Sequence, residues 1–199
     1  MSSHDRIRLS AAPSLILAAV LAVVGPAKAG QIRPVNLEEM TLRAARIFAG
    51  RCVASELEKD PNTGMVVAVA TFEVHRTVKG GAQDAVTVRM IEGDDGHGGG
   101  TAGVPGFRPG DEAVLFLYGE GKSGLTSPVG LGQGRFTIIT DKEGRQIARN
   151  EFANRNLLRG LTPAARERLG GAFEAVVDGP HLESATLLDL ATVLMASGR

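Results

Sequence analysis

The feature that most constrains this chain is a short run, residues 113–118, that is apolar on both alternating faces and reads A-V-L-F-L-Y. A strand with one wetted face alternates apolar and polar side chains, so this run predicts a strand that is covered on both sides. Pro-Gly pairs within residues 104–110 and glycines within residues 119–124 predict turns at its two ends. We therefore expect the rest of the chain to be organised around this strand.

The residues before this run predict strands that meet it. Alternation over residues 65–79 predicts a long strand, and residues 86–90 predict another. An apolar run that begins at Ile47 predicts the first strand, in which Gly50 marks a bulge or a close backbone contact. Shorter strands are predicted at residues 125–127, 135–140 and 145–148. The side chains expected to be buried are Phe72, Val74, Val88, Leu115 and Leu117.

Helices are predicted at both ends of the strand region. Asn36 precedes L-E-E-M, which predicts a short capped helix. Thr162 with Pro163 predicts a second helix, and Ser184 is expected to cap a third that carries a wide apolar stripe. The predicted fold class is therefore mainly β with flanking helices, with a short N-terminal helix and C-terminal helices.

The first residues have the pattern of a secretory leader. A basic start is followed by an apolar stretch at residues 11–24 and by A-K-A at residues 27–29. Cleavage there would start the mature chain at Gly30, and the product is expected to be soluble and either periplasmic or extracellular. We divide the chain into a leader at residues 1–29, a β-barrel domain at residues 30–150, and a C-terminal helical extension at residues 151–199 that packs on the barrel.

Charge and cysteine content narrow the function classes. The leader holds three of the 22 basic and one of the 22 acidic residues, so the remaining chain has a net charge of −2. We therefore expect neither a nucleic acid partner nor, after leader cleavage, a membrane partner. The single cysteine, Cys52, lies in an apolar run and is predicted to be a buried structural thiol.

Two glycine-rich segments are the candidate partner-binding loops. The first, residues 92–103, reads E-G-D-D-G-H-G-G-G-T-A-G, and the second, residues 130–134, reads G-L-G-Q-G. The acids of the first segment lack the ligand spacing of a Ca²⁺ loop, and a zinc site would need further His or Cys ligands. We expect no metal, no cofactor and no catalytic set. The residues proposed to contact a partner are Asp94, Asp95, His97 and Gln133.

Five stretches carry a family resemblance: A-R-I-F-A-G-R-C-V, A-T-F-E-V-H-R-T-V-K-G, V-T-V-R, V-P-G-F-R-P-G-D-E-A-V-L-F-L and G-L-G-Q-G-R-F. In this order they resemble uncharacterised exported bacterial proteins that are similar to the netrin-like OB-fold domain of tissue inhibitors of metalloproteinases. The resemblance covers residues 37–148 and implies a small OB-like, netrin-like barrel. In those inhibitors an N-terminal cysteine, held by disulfides, meets the protease zinc. Here Gly30 is the expected N-terminus and Cys52 has no mate, so that chemistry transfers to no residue of this chain.

These observations favour an exported, non-enzymatic binding protein. The expected partner is another exported protein, and the resemblance makes a metalloprotease one candidate for a protease-binding or inhibitor-like module. An alternative is a small secreted hydrolase that uses Ser123 or Ser127 with His97 and an Asp, although the chain has no G-x-S-x-G motif. A module that binds carbohydrate or an oligonucleotide is a further alternative, which the absence of Trp and the single Tyr disfavour.

Overall fold

The computed structural model describes residues 33–61, 64–91, 106–176 and 181–196. These residues belong to one compact unit, Arg33–Arg199. The predicted leader at residues 1–29 lies outside the described residues. No helix within the described ranges combines the length and the apolar character that a membrane crossing requires.

Within these ranges the chain forms one sheet and flanking helices. The strands are β1 (Arg46–Lys59), β2 (Val66–Lys79), β3 (Ala85–Ile91), β4 (Glu112–Leu117), β5 (Arg135–Thr140) and β6 (Gln146–Asn150). The helices are α1 (Leu37–Arg43), α2 (Pro163–Leu169), α3 (Gly171–Ala175) and α4 (Ser184–Met195), with a 3-10 turn at Leu131–Gln133. The six strands pair in the order β3-β2-β1-β4-β5-β6, and every pairing is antiparallel. The predicted mainly β architecture, with a short N-terminal helix and C-terminal helices, is confirmed.

Local signals placed most helix starts correctly. The Asn36 side chain accepts a hydrogen bond from the Glu39 N–H at 2.9 Å, which caps α1. The Thr162 side chain likewise accepts from the Ala165 N–H at 3.1 Å at the start of α2. Ser184 differs from the prediction because it is the first residue of α4, whose N-cap makes no side-chain hydrogen bond.

Gly50 has the predicted role in β1. The register between β1 and β2 shifts at Gly50, as a bulge requires. A Cβ atom at this position would lie 2.5 Å from the carbonyl oxygen of Glu73 on β2. The two backbones therefore approach too closely for any other residue.

The predicted central strand, β4, is buried on both faces. It pairs with β1 on one side and with β5 on the other. Its adjacent residues Val114, Leu115 and Phe116 are all fully buried, although their side chains alternate between the two faces of the sheet. The sheet therefore has a hydrophobic core on each face, and β4 contributes to both.

One core, the inner core, lies within the curl of the sheet. Its members are Phe48, Cys52, Ala70, Phe72, Val86, Val88, Met90, Phe107, Ala113, Leu115 and Leu117. Residues of β3 and β4, which are three positions apart in the strand order, meet in this core, so the sheet must curl. Phe72 makes edge-to-face contacts with Phe48 and Phe107, with ring centroids 5.6 Å and 4.8 Å apart. Four of the five predicted core residues are buried here, and Val74 is half-buried against them.

The other core, the helix-side core, lies between the opposite face of the sheet and the helices. Its members include Leu37 and Met40 of α1, Phe116 and Phe136 of the sheet, and Leu187 of α4. The C-terminal helices therefore cover a sheet face that would otherwise expose a continuous apolar surface.

The predicted barrel is wrong because the sheet does not close. At one edge, β6 turns away from β3, and its Ala148 N–H donates to the Leu182 carbonyl just before α4, at 2.8 Å. At the other edge, the Thr126 N–H donates to the Arg89 carbonyl of β3 at 2.9 Å. This hydrogen bond does not make residues 125–127 a further strand of the sheet. The strand predicted at residues 125–127 does not form. The β6 edge therefore meets the segment before α4 instead of β3, and the curl stays open.

Candidate functional site

A groove of about 320 Å³ lies at the end of the curled sheet where β2 and β4 end and β1 begins. We call it the mouth groove. It is lined by Ala45, Arg46, Gly80, Val88, Leu117, Tyr118, Gly119, Glu120 and Thr126. These residues come from five separate parts of the chain, and the open curl brings them together.

The floor of the mouth groove is the end of the inner core. Val88 of β3 and Leu117 of β4 are 3% and 2% exposed and belong to that core. The two side chains are almost wholly covered, so the base of the groove lies against the edge of this core. Arg46 and Glu120 place one positive and one negative charge at the groove. Small-molecule and peptide sites commonly have this form, in which an apolar base is combined with a few polar groups.

Glycine shapes one wall of the groove. Gly80 ends β2 with a φ of +97°, a conformation that side-chain-bearing residues rarely adopt. A Cβ atom there would lie 3.1 Å from the Ala45 carbonyl oxygen at the start of β1. The end of β2 is therefore packed closely against β1, and its backbone lines the groove directly.

The opposite wall is held in place by hydrogen bonds of the connection after β4. The Tyr118 N–H donates to the Ser127 carbonyl at 3.0 Å, and the Thr126 hydroxyl donates to the Tyr118 carbonyl at 2.7 Å. The Thr126 N–H also donates to Arg89 of β3. The wall is therefore preformed, which reduces the ordering cost of binding.

The residues of the hydrolase alternative are placed only in part. Ser123 and Ser127 are half-buried in the connection after β4, whereas His97 lies outside the described residues. The described part of the chain contains no group of three or more His, Cys, Asp or Glu residues that could hold a metal ion. The mouth groove has a concave shape and two opposite charges, from Arg46 and Glu120.

Cys52 lies in the inner core and is buried, as predicted. Its Sγ is 3.3 Å from the Ala54 carbonyl oxygen. Burial raises the pKa of the Cys52 thiol, and the nearby negative charge of Asp111 adds to this effect. The thiol therefore stays protonated at neutral pH, which is unfavourable for a nucleophile.

The predicted partner-binding residues fall into two groups. Asp94, Asp95 and His97 lie outside the described residues. Gln133 is 6% exposed, and its side chain binds the N-terminal segment of the unit: Oε1 accepts from the Val35 N–H at 2.8 Å, and Nε2 donates to the Arg33 carbonyl at 3.0 Å. Partner binding by Gln133 stays a prediction, and its observed contacts are internal.

Sequence reasoning missed the mouth groove as a site. Val88 and Leu117 were expected to be buried, but nothing in the local pattern marks Arg46 or Glu120 as their neighbours. Neither a protein-family model nor a curated protein matches this chain. The geometry of the groove is therefore the main basis for a function.

Proposed function

We propose that this protein is an exported binding protein that holds a short, extended segment of another exported protein in the mouth groove. The observation that carries the proposal is the groove itself, whose base lies against the inner core at Val88 and Leu117 and whose lining carries Arg46 and Glu120. Export is supported by the leader-like pattern of residues 1–29. The netrin-like resemblance of residues 37–148 supports a protease, including a metalloprotease, as one class of partner.

The size of the groove limits what it would bind. A volume of about 320 Å³ is at the lower end of ligand pockets, which suits one or two side chains of a peptide. Full burial of one Leu-sized or Phe-sized side chain contributes about 1.5–3 kcal/mol. One or two such anchors would dominate the affinity, as in other interfaces in which a few residues carry most of the binding energy.

The polar groups of the groove would orient the bound segment. Arg46 is half-exposed and Glu120 is exposed, so each can reach a charged or hydrogen-bonding group of the partner. Gly119 is exposed and carries no side chain, which lets a partner's main chain approach closely. An extended peptide with an apolar side chain flanked by polar residues matches this arrangement.

A groove-filling substitution tests the proposal. At Gly119 a new Cβ would be 3.7 Å from the Ala45 Cβ, an ordinary contact, so Gly119→Trp should fold while its indole fills the groove. Gly121→Trp is the matched control, because Gly121 is exposed, does not line the groove, and has comparable space, with the Leu125 carbonyl oxygen 3.7 Å away.

The readout is crosslinking in the native compartment followed by mass spectrometry. We expect the wild type and Gly121→Trp to capture the same protein, and Gly119→Trp to capture at least about tenfold less of it, equivalent to about 1.4 kcal/mol. Equal capture by both variants, with unchanged thermal unfolding, would show that the partner binds elsewhere.

A further inference from the structure

A second cleft lies on the sheet surface formed by β5 and β6 and is separate from the mouth groove. Its volume is about 320 Å³. We call it the arginine cleft, and it is lined by Arg135, Thr137, Ile139, Arg149, Asn150 and Glu151. Two of its six lining residues carry a positive charge and one carries a negative charge, so its side chains have a net charge of +1.

The strand register brings the two guanidinium groups to the same face. Thr137 of β5 is paired directly with Arg149 of β6, and Arg135 is two residues from Thr137 along β5. Side chains at such diagonal positions start roughly 7–8 Å apart. Arginine side chains are long enough to converge over that distance on one small anion between them.

Arg135 is held in place at the side of the cleft. Its guanidinium carbon lies 3.9 Å from the centroid of the Phe107 ring, and one of its nitrogens donates to the Gly106 carbonyl at 3.3 Å. Burial lowers the pKa of Arg135, whereas the negative charges of Glu151 and Asp111 raise it. A further negative charge in the cleft would therefore stabilise a cation that is partly removed from water.

Glu151 sets the charge of the cleft. Its carboxylate packs against Gly132, where any side chain at position 132 would collide with it. The negative charge of Glu151 also raises the pKa of Arg135, so Glu151 offsets part of the positive charge of the cleft. The adjacent Asn150 is buried, and its side chain donates to the Gln133 carbonyl at 3.0 Å, which fixes the end of β6 beside the cleft.

We propose that the arginine cleft binds a small molecule that carries one carboxylate or phosphate group. Arg135 and Arg149 would hold the anionic group from two sides, in the multidentate geometry that guanidinium groups favour. The exposed Thr137 hydroxyl supplies a further hydrogen bond, and the half-exposed Ile139 contacts the uncharged body of the ligand. This site does not depend on the function proposed for the mouth groove.

The test is a titration of the intact protein with methyl phosphate and, separately, with acetate, at constant ionic strength maintained with chloride. Binding is followed by the NMR shifts of the Thr137 and Arg149 backbone amides. We expect saturable shifts with at least one of the two anions. If the shifts grow without saturation for both anions, the anions bind no more specifically than chloride does, and this result would overturn the proposal.

Three variants distinguish specific binding in the arginine cleft from nonspecific electrostatic attraction. Arg149→Gln should weaken binding at least about fivefold, and Glu151→Gln should strengthen it about twofold or more, because each changes one charge beside the anion. Arg168→Gln, an exposed arginine on α2, is the matched control and should leave binding unchanged. Equal affinity in Arg149→Gln and the wild type, or equal weakening in Arg149→Gln and Arg168→Gln, would overturn the proposal.

Discussion

The two cores on opposite faces of the sheet are built in different ways. The helix-side core draws on residues from Val35 to Leu194, so its formation needs almost the whole described chain. The inner core draws only on residues from Phe48 to Phe107 and on β4. The first is covered by helices, whereas the second is enclosed by the curl of the sheet and ends at the mouth groove. The helix-side core, which joins distant parts of the chain, is therefore fully enclosed. The inner core has an open end, and we place binding there.

The difference also concerns how each core is packed. The inner core contains a cluster of three aromatic rings in edge-to-face contact, centred on Phe72. The helix-side core is dominated by leucines of the helices and of the loop before them, together with Phe116 and Phe136 of the sheet. Aromatic packing supports an inner core that has no covering layer of helices.

The largest expected effect comes from neighbours on β4 that point into opposite cores. Phe116→Ala should cost about 3–5 kcal/mol of unfolding free energy, and Leu115→Ala about 2–5 kcal/mol, because each leaves a cavity at a fully buried site. Denaturant unfolding of the two variants measures both values. A cost below about 1 kcal/mol for Leu115→Ala would mean that the inner core is loosely packed along its length, and not only at the groove.

A smaller effect is expected from a polar contact that ties the helical layer together. Glu38 of α1 accepts hydrogen bonds from the N–H and the hydroxyl of Thr162, at 2.8 Å and 2.7 Å. Glu38→Gln replaces one accepting oxygen with an NH₂ group and should cost about 1–3 kcal/mol, since Glu38 is only 9% exposed.

The control for this prediction is the next residue. Glu39 is more exposed and pairs with Arg33 and Arg43 at the surface, so Glu39→Gln should cost at most about 1 kcal/mol. Thermal unfolding of both variants gives the comparison. Similar losses in the two variants would show that Glu38 adds no more to the helix-side core than a surface ion pair.

The smallest effect should depend on pH and concerns the inner core. The pKa of Cys52 is raised by burial, so above about pH 8.5 the unfolded thiol ionises while the folded thiol keeps its proton. Stability from this group is therefore fully present below that pH and is lost as the pH rises through the folded pKa. The difference in unfolding free energy between the wild type and Cys52→Ala should fall between about pH 8 and pH 10. A difference that stays constant over this range would contradict a buried, protonated thiol.

Local elements could be predicted because their signals lie within a few residues. The caps at Asn36 and Thr162, the bulge at Gly50 and the two-sided burial of β4 each depend on side-chain type and short-range spacing. Barrel closure was predicted wrongly because it depends on which edges meet, and β6 turns toward the segment before α4. No local pattern encodes that choice.

The candidate sites were less predictable than the fold. Gln133 was selected for its glycine-rich surroundings, yet its side chain reaches Val35, which is 98 residues earlier in the chain. The arginine cleft depends on the pairing of Thr137 with Arg149. Both arrangements follow from strand and loop packing across long sequence separations, which alternation and composition do not specify.

The sequence by itself determined most of the segments that form strands and helices, and it marked residues 113–118 as the strand that both cores share. Those features follow from backbone preference and from the alternation of apolar side chains, which act over short distances. Only the tertiary structure decided that the sheet stays open, that Val88 and Leu117 form the floor of a groove, and that Arg135 and Arg149 share a cleft. Those outcomes depend on the relative free energies of competing long-range strand and helix contacts, because a sheet edge can be covered either by another strand or by a helix or loop.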